Sequence, residues 1–160
     1  MTKPTAAIAL FAVGKFLIEL AASQLKLYRY KWVWRKHVPA GFLNANKMPL
    51  RAHEDILIFY RKLPTYNPQY WQSTPYKNKR DEHTPCSAVY SDFKNVDKPN
   101  VSGKRFPIDC IKFSNQHTLW GESQTQHPNQ KPVDLLEYLI RTYTDEGETV
   151  LDATMGSGST

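Results

Sequence analysis

An α/β fold is what the sequence predicts, and three observations carry it. Residues 6–13 are a continuous apolar run closed by Gly14, and the residues after it are spaced for a helix. Two further stretches, at 28–35 and 55–60, have strand length and strand composition. Near the carboxyl end a helix-spaced segment leads into Val150-Leu151-Asp152 and a glycine-rich turn. With 160 residues, 41% of them hydrophobic, the chain has enough material for one globular domain with a real core and no room for a second full one.

The first element, Ala6–Val13, reads as a strand buried on both faces, as in a parallel sheet. It superficially resembles a signal peptide, but Lys15 and Glu19 interrupt the apolar region, and no stretch approaches the roughly twenty apolar residues needed to cross a bilayer. A soluble, cytoplasmic protein without a membrane partner is expected. From Lys15 to Gln24, Phe16, Leu17, Leu20 and Ala21 recur at helical spacing, so a short helix should pack back on the sheet.

Between Tyr28 and Arg35 the period becomes two, with Tyr28, Tyr30, Trp32 and Trp34 on one face and Arg29, Lys31, Val33 and Arg35 on the other. The aromatic row suits base stacking, but a helix covering it explains it as well and is favoured, because aromatic residues are ordinary strand formers. Asp55–Tyr60 is a second buried strand, closed by Arg61-Lys62. The connection His37–Glu54 holds Pro39, Gly41, Asn44, Asn46 and Pro49 and reads as a long loop. Its Lys47, Arg51 and His53 suit substrate contact or plain solvation equally.

Residues 64–126 contain six of the eleven prolines and only short apolar runs, and so read as an irregular insertion without long helices. Tyr66, Tyr70, Trp71, Tyr76 and Tyr90 are interleaved with Lys77, Lys79, Arg80 and Lys94, a pattern shared by nucleic-acid contacts and by solvated loops. Order returns at Pro132, where a first helical turn with Asp134 leads into the stripe Leu135, Leu136, Leu139, Ile140 and Tyr143. Glu137 and Arg141 make an i, i+4 pair. Gly147 separates this helix from a strand Thr149–Leu151, with Asp152 at its carboxyl end.

The formal charge of +6 and pI near 9.3 favour a polyanionic partner without requiring one. Cys86 and Cys110 form no disulfide framework, which fits a reducing compartment. A zinc site from His83, Cys86, Cys110 and His117 would have only one short ligand spacing, so no metal is expected. Asp152 followed by Gly156-x-Gly158 has the form of an adenosine-cofactor turn at a strand's carboxyl end. A glycine turn without ligand has the same form. A dinucleotide fingerprint would need a third spaced glycine and a P-loop a Gly-Lys-Ser/Thr, and neither is present.

His127-Pro128-Asn129-Gln130-Lys131-Pro132, the helix, and Leu151-Asp-Ala-Thr-Met-Gly-Ser-Gly-Ser-Thr160 closely resemble motif X followed by motif I of the DNA amino-methyltransferases, which methylate adenine N6 or cytosine N4. This order is similar to the permuted beta group of that family. Thr5–Val13 resembles the motif VI strand, Tyr28–Lys36 the next, and Asp55–Lys62 the motif VIII strand; Phe42–Ala45 and Arg51–Leu57 resemble phage and bacterial adenine-specific members.

The resemblance implies a partial Rossmann-like, S-adenosyl-L-methionine-dependent methyltransferase fold with an irregular inserted target-recognition region and an incomplete sheet. Residues 1–62 would be part of the catalytic-domain sheet, 63–126 the target-recognition region, and 127–160 the cofactor-binding region. S-adenosylmethionine would lie against Asp152, Met155, Gly156, Ser157, Gly158 and Ser159, with His127, Gln130 and Lys131 beside them. Double-stranded DNA is the implied partner, with Lys47, Arg51, Lys77, Lys79 and Arg80 as candidate contacts. The implied activity is site-specific adenine N6 methylation, with cytosine N4 methylation or a non-catalytic DNA-binding remnant or truncated gene product as alternatives. The family's catalytic tetrapeptide, Asp/Asn/Ser-Pro-Pro-aromatic, occurs nowhere in the 160 residues, so no catalytic residue is assigned and an inactive segment is expected. For the same reason Thr149–Leu151 is expected to take a non-family neighbour or to hang as a loosely held edge.

Overall fold

A computed structural model of the chain describes residues 3–76, 100–115 and 130–154. In order along the chain the elements are β1 (Ile8–Ala12), α1 (Gly14–Ser23), β2 (Tyr28–Ala40), a 3-10 turn (Phe42–Asn44), β3 (Arg51–Phe59), β4 (Trp71–Gln72), β5 (Lys104–Arg105), β6 (Cys110–Phe113) and α2 (Val133–Tyr143). They fall into two units: residues 1–69 with 108–160, and residues 70–107.

The larger unit is a four-stranded mixed sheet in the order β1-β3-β2-β6. β3 is antiparallel to both β1 and β2, and β6 is parallel to β2. Alternation along β3 sends Ile56 and Ile58 to one face and Leu57 and Phe59 to the other. The first face carries the main core, where Trp32, Trp34 and Ile111 meet Leu135, Leu139 and Tyr143 of α2. The second carries a smaller cluster of Ala12, Leu57 and Phe59, against which Leu17, Leu20 and Ala21 of α1 pack.

Several sequence expectations are corrected here. β1 is not buried on both faces within a parallel sheet: it pairs antiparallel with β3 alone among the described residues, and Leu10 is 40% exposed. An apolar run specifies a strand but not how many neighbours will cover it. On α1, Phe16 points outward at 55% exposure, so the helix packs through a narrower stripe than its spacing suggested. Tyr28 leaves the aromatic row of Tyr30, Trp32 and Trp34 because a register shift lies between it and Tyr30, and its ring meets Phe59 on the α1 face.

β2 also outruns its expected end at Arg35, because β6 pairs along it and Asn115 continues the ladder. The Asn115 amide accepts from Val38 N at 2.9 Å and donates to Val38 O at 2.8 Å, as a further strand residue would. The long loop therefore shrinks to residues 41–50, and Arg51 and His53 belong to β3, opposite Ala40 and Arg35. β6 itself lies within the stretch expected to be irregular. Thr149–Leu151 joins no ladder among the described residues, and Leu151 is 83% exposed.

The smaller unit pairs Trp71 with Arg105 and Gln72 with Lys104. Gly103 closes it at φ +69°, where a Cβ would lie 2.2 Å from Ser73 O. Arg105 stacks on Tyr76 at 4.4 Å and donates to Thr74 O at 3.1 Å. No helix among the described residues is long and apolar enough to cross a membrane.

Candidate functional site

β1 and β2 are parallel to each other because both oppose β3. Their carboxyl ends thus open on one edge of the sheet, the side where open α/β sheets bind ligands. Near this edge lie Phe11, Trp34 and Lys36, with Glu54 entering from the first half of β3 opposite Trp34.

Lys131 docks into this group from the residue before the α2 N-cap. Its ammonium donates to Glu54 Oε2 at 2.7 Å, and Lys36 Nζ donates to Glu54 Oε1 at 2.5 Å. The same Lys131 ammonium sits 5.1 Å from the Phe11 ring centroid and 5.7 Å from that of Trp34, while Lys36 stands 5.3 Å from Trp34. Burial works against the charge on Glu54, but the hydrogen bonds and positive charges of Lys131 and Lys36 outweigh it and hold the carboxyl below its ordinary 4.5. One carboxylate thus joins two lysines that would otherwise repel each other.

The other end of α2 is fixed as firmly. Trp32 Nε1 donates to Tyr143 Oη at 2.6 Å, and the Tyr30 and Tyr143 hydroxyls share a hydrogen bond of 2.8 Å. Burial, with the Tyr30 hydrogen bond adding to it, pushes the Tyr143 phenol far above its ordinary 10 despite the donation from Trp32. Asn67 secures the end of the helix: its backbone N–H donates to Thr142 O at 2.8 Å and its Nδ2 to Thr144 O, just past the helix, at 3.1 Å. With Lys131 at Trp34 and Tyr143 at Trp32 and Tyr30, α2 runs antiparallel to β2. Its positive N-terminal end therefore faces the carboxyl edge of the sheet.

Of the expected cofactor residues, the structure describes Gln130, Lys131 and Asp152. Gln130 is half-buried beside Lys131. Asp152 Oδ1 accepts from Thr154 N at 2.9 Å, an Asx turn that shapes the chain entering the glycine-rich segment. His127, Met155, Gly156, Ser157, Gly158 and Ser159 lie outside the described residues, as do Lys77, Lys79 and Arg80, and His83, Cys86 and His117 of the discounted zinc set. Lys47 and Arg51 are exposed at the β2–β3 hairpin, Arg51 on β3 opposite Ala40 and on the same strand as Glu54.

Sequence reasoning missed Glu54 and Lys36 as parts of this group. The available signal was a carboxylate placed in alternation with Ile56 and Ile58, hence on the core side of β3, where a charge needs a partner.

A family model described as DNA methylase matches residues 1–160 of the chain. Among solved structures, the crystal structure of the M1.HpyAVI–SAM complex is similar, with a TM-score of 0.56 at 18% sequence identity. That likeness covers 98% of this chain and 61% of the other, so the chain spans under two thirds of its neighbour's length. It shows the fold: a partial Rossmann-like methyltransferase sheet, mixed and incomplete.

Proposed function

The chain belongs to the DNA methylase family, and on that premise we propose that it holds the methyl donor and the DNA for a S-adenosylmethionine-dependent methyltransferase acting on adenine N6 in duplex DNA. The observation that carries this reading is Lys131 of the His127–Pro132 motif, tied through Glu54 to the carboxyl edge of the sheet. The SAM complex of the similar structure supports the choice of cofactor.

The residues present suit that cofactor. Asp152 offers a carboxylate to ribose hydroxyls or to the ammonium of the methionine moiety. Gly156 and Gly158 allow close backbone approach, and the motif resemblance assigns Gln130 and Lys131, with His127, Met155, Ser157 and Ser159, to the same cofactor. When bound, the cofactor supplies a sulfonium methyl. An adenine amine conjugated to its ring is a poor nucleophile, so transfer depends on holding it in line with that methyl. The 160 residues contain no Asp/Asn/Ser-Pro-Pro-aromatic tetrapeptide to grip the flipped base. Their part is to bind and orient.

Calorimetry with S-adenosylmethionine tests the reading. Saturable binding is expected, weakened roughly tenfold by Asp152→Ala, the loss of about one charge-assisted hydrogen bond. Absence of binding overturns the cofactor assignment and leaves a DNA-binding remnant. Label transferred from the donor to DNA by the chain alone overturns the purely binding role. Nucleoside analysis of DNA methylated by a methyltransferase that includes this chain overturns adenine if it yields N4-methylcytosine.

A further inference from the structure

Between Glu19 and Glu54 the chain carries no carboxylate side chain but seven lysines and arginines. Three of them have partners in the fold: Arg29 donates to Tyr60 O, and Lys31 and Lys36 pair with Asp55 and Glu54. Further along the hairpin no ion pair offsets the positive charge among the described residues. Arg35 pairs with His53 across β2 and β3, and with Lys112 across β2 and β6, so the three side chains form one rung on a single face of the sheet. Alternation places that rung opposite the Trp34 and Lys36 face, and all three residues are exposed. The Arg35 and Lys112 cations, set side by side across strands, repel one another, and a polyanion laid across them relieves that cost.

The turn at the end of the same hairpin is apolar where a turn is usually polar. Phe42 is 80% and Leu43 95% exposed, with Met48 also largely in water. The turn that presents them is closely hydrogen-bonded. Asn44 N donates to Gly41 O at 2.9 Å, Ala45 N to Phe42 O at 3.0 Å, and Lys47 N to Asn44 O at 2.9 Å. Gly41 enters it at φ +93°, a conformation suited to glycine. Phe42 and Leu43 are thus held outward on an ordered turn, with Lys47 and Arg51 beside it.

We propose that the β2–β3 hairpin, with Lys112 of β6 beside it, is a duplex-gripping arm, in which Arg35, His53 and Lys112 seat the phosphate backbone and Phe42 and Leu43 press between base steps. Apolar wedges flanked by cations unstack and bend duplex DNA in this way. The proposal rests on the DNA reading above and gives it a location that, Lys112 apart, lies outside the expected target-recognition region, residues 63–126. Pressing against base steps would lower the cost of extruding a base.

The test uses the 160-residue chain and a fluorescent duplex carrying 2-aminopurine, titrated at several salt concentrations. Arg35→Ala with Lys112→Ala should reduce the slope of log affinity against log salt by about two. Phe42→Ser with Leu43→Ser should leave that slope unchanged, weaken binding roughly tenfold, and abolish the rise in 2-aminopurine fluorescence. Phe16→Ser, at an exposed apolar position of α1, is the control and should bind as the unsubstituted chain does. All four substituted arm residues are exposed, and circular dichroism checks that the fold persists. If the unsubstituted chain binds DNA and both pairs of substitutions leave slope, affinity and fluorescence unchanged, the arm is refuted while the DNA reading stands. If the unsubstituted chain shows no salt-dependent duplex binding, both fail. A dimer in size-exclusion chromatography that Phe42→Ser with Leu43→Ser converts to monomer would assign the turn to self-association and overturn the wedge.

Discussion

The face of the sheet under α2 and the face under α1 draw their residues alternately from the same strands, yet they are built differently. Under α2, Trp32, Trp34, Ile56, Ile58, Leu135 and Leu139 are all buried, and polar links close both ends of the helix through Lys131–Glu54 and Tyr143–Trp32. Under α1, three buried residues support a helix with no fully buried residue of its own. The difference shows where directed contacts concentrate: the helix that follows the His127–Pro132 segment is positioned by dense packing and directed hydrogen bonds. α1 covers apolar surface with little geometric demand.

Removing a core side chain under α2 should break this comparison most severely. Leu135→Ala is expected to destabilise the fold by about 3 kcal/mol, against about 1 kcal/mol for Leu20→Ala on α1. Urea denaturation of both variants checks it, and equal losses would mean that the two faces contribute alike. Glu54→Gln should cost about 2 kcal/mol, below the roughly 3–5 of a fully buried pair because Lys131 retains some solvent contact. Since the Glu54 carboxyl is held below its ordinary 4.5, its stabilisation is present above that value and disappears as the pH falls through its lower folded-state pKa. The variant should therefore lose stability less steeply on acidification than the unsubstituted chain.

Tyr143→Phe is expected to cost about 1–2 kcal/mol by leaving Trp32 Nε1 and the Tyr30 hydroxyl without their shared partner. Its pH signature is opposite. A phenol whose folded pKa is raised stabilises fully below pH 10 and less as the pH climbs above it, so the alkaline decline should be shallower in the variant. The smallest effect belongs to Phe16→Ser on the outer side of α1, within about 0.5 kcal/mol. A larger loss there would show that α1 packs more closely than its exposed residues indicate.

The two regions were also unequally legible from sequence. Spacing located α2 to within a residue, placed Leu135 and Leu139 in the core, and gave the Glu137–Arg141 pair, found at 2.6 Å. The aromatic row of β2 was read as a surface for a helix, and α2 does cover it. Glu54 escaped notice because its partners lie 18 and 77 residues away, and period-two alternation says only that it faces inward. β6 was missed for a similar reason: four residues in a proline-rich stretch carry too little periodicity, and the strand exists because β2 has a free edge beside it.

What the sequence determined by itself is local: the apolar periods that make strands and helices, the turn glycines, and the motif order that places the chain in its family. Those follow from backbone sterics and nearest-neighbour chemistry, which act over a few residues. Only the tertiary structure decided which strand has one neighbour and which has two, that Tyr28 leaves its row, and that Glu54 binds Lys36 and Lys131 together. It also set Arg35 between His53 and Lys112. Strand register and long-range ion pairs depend on which distant segments come to lie side by side, and alternation alone is compatible with many such pairings.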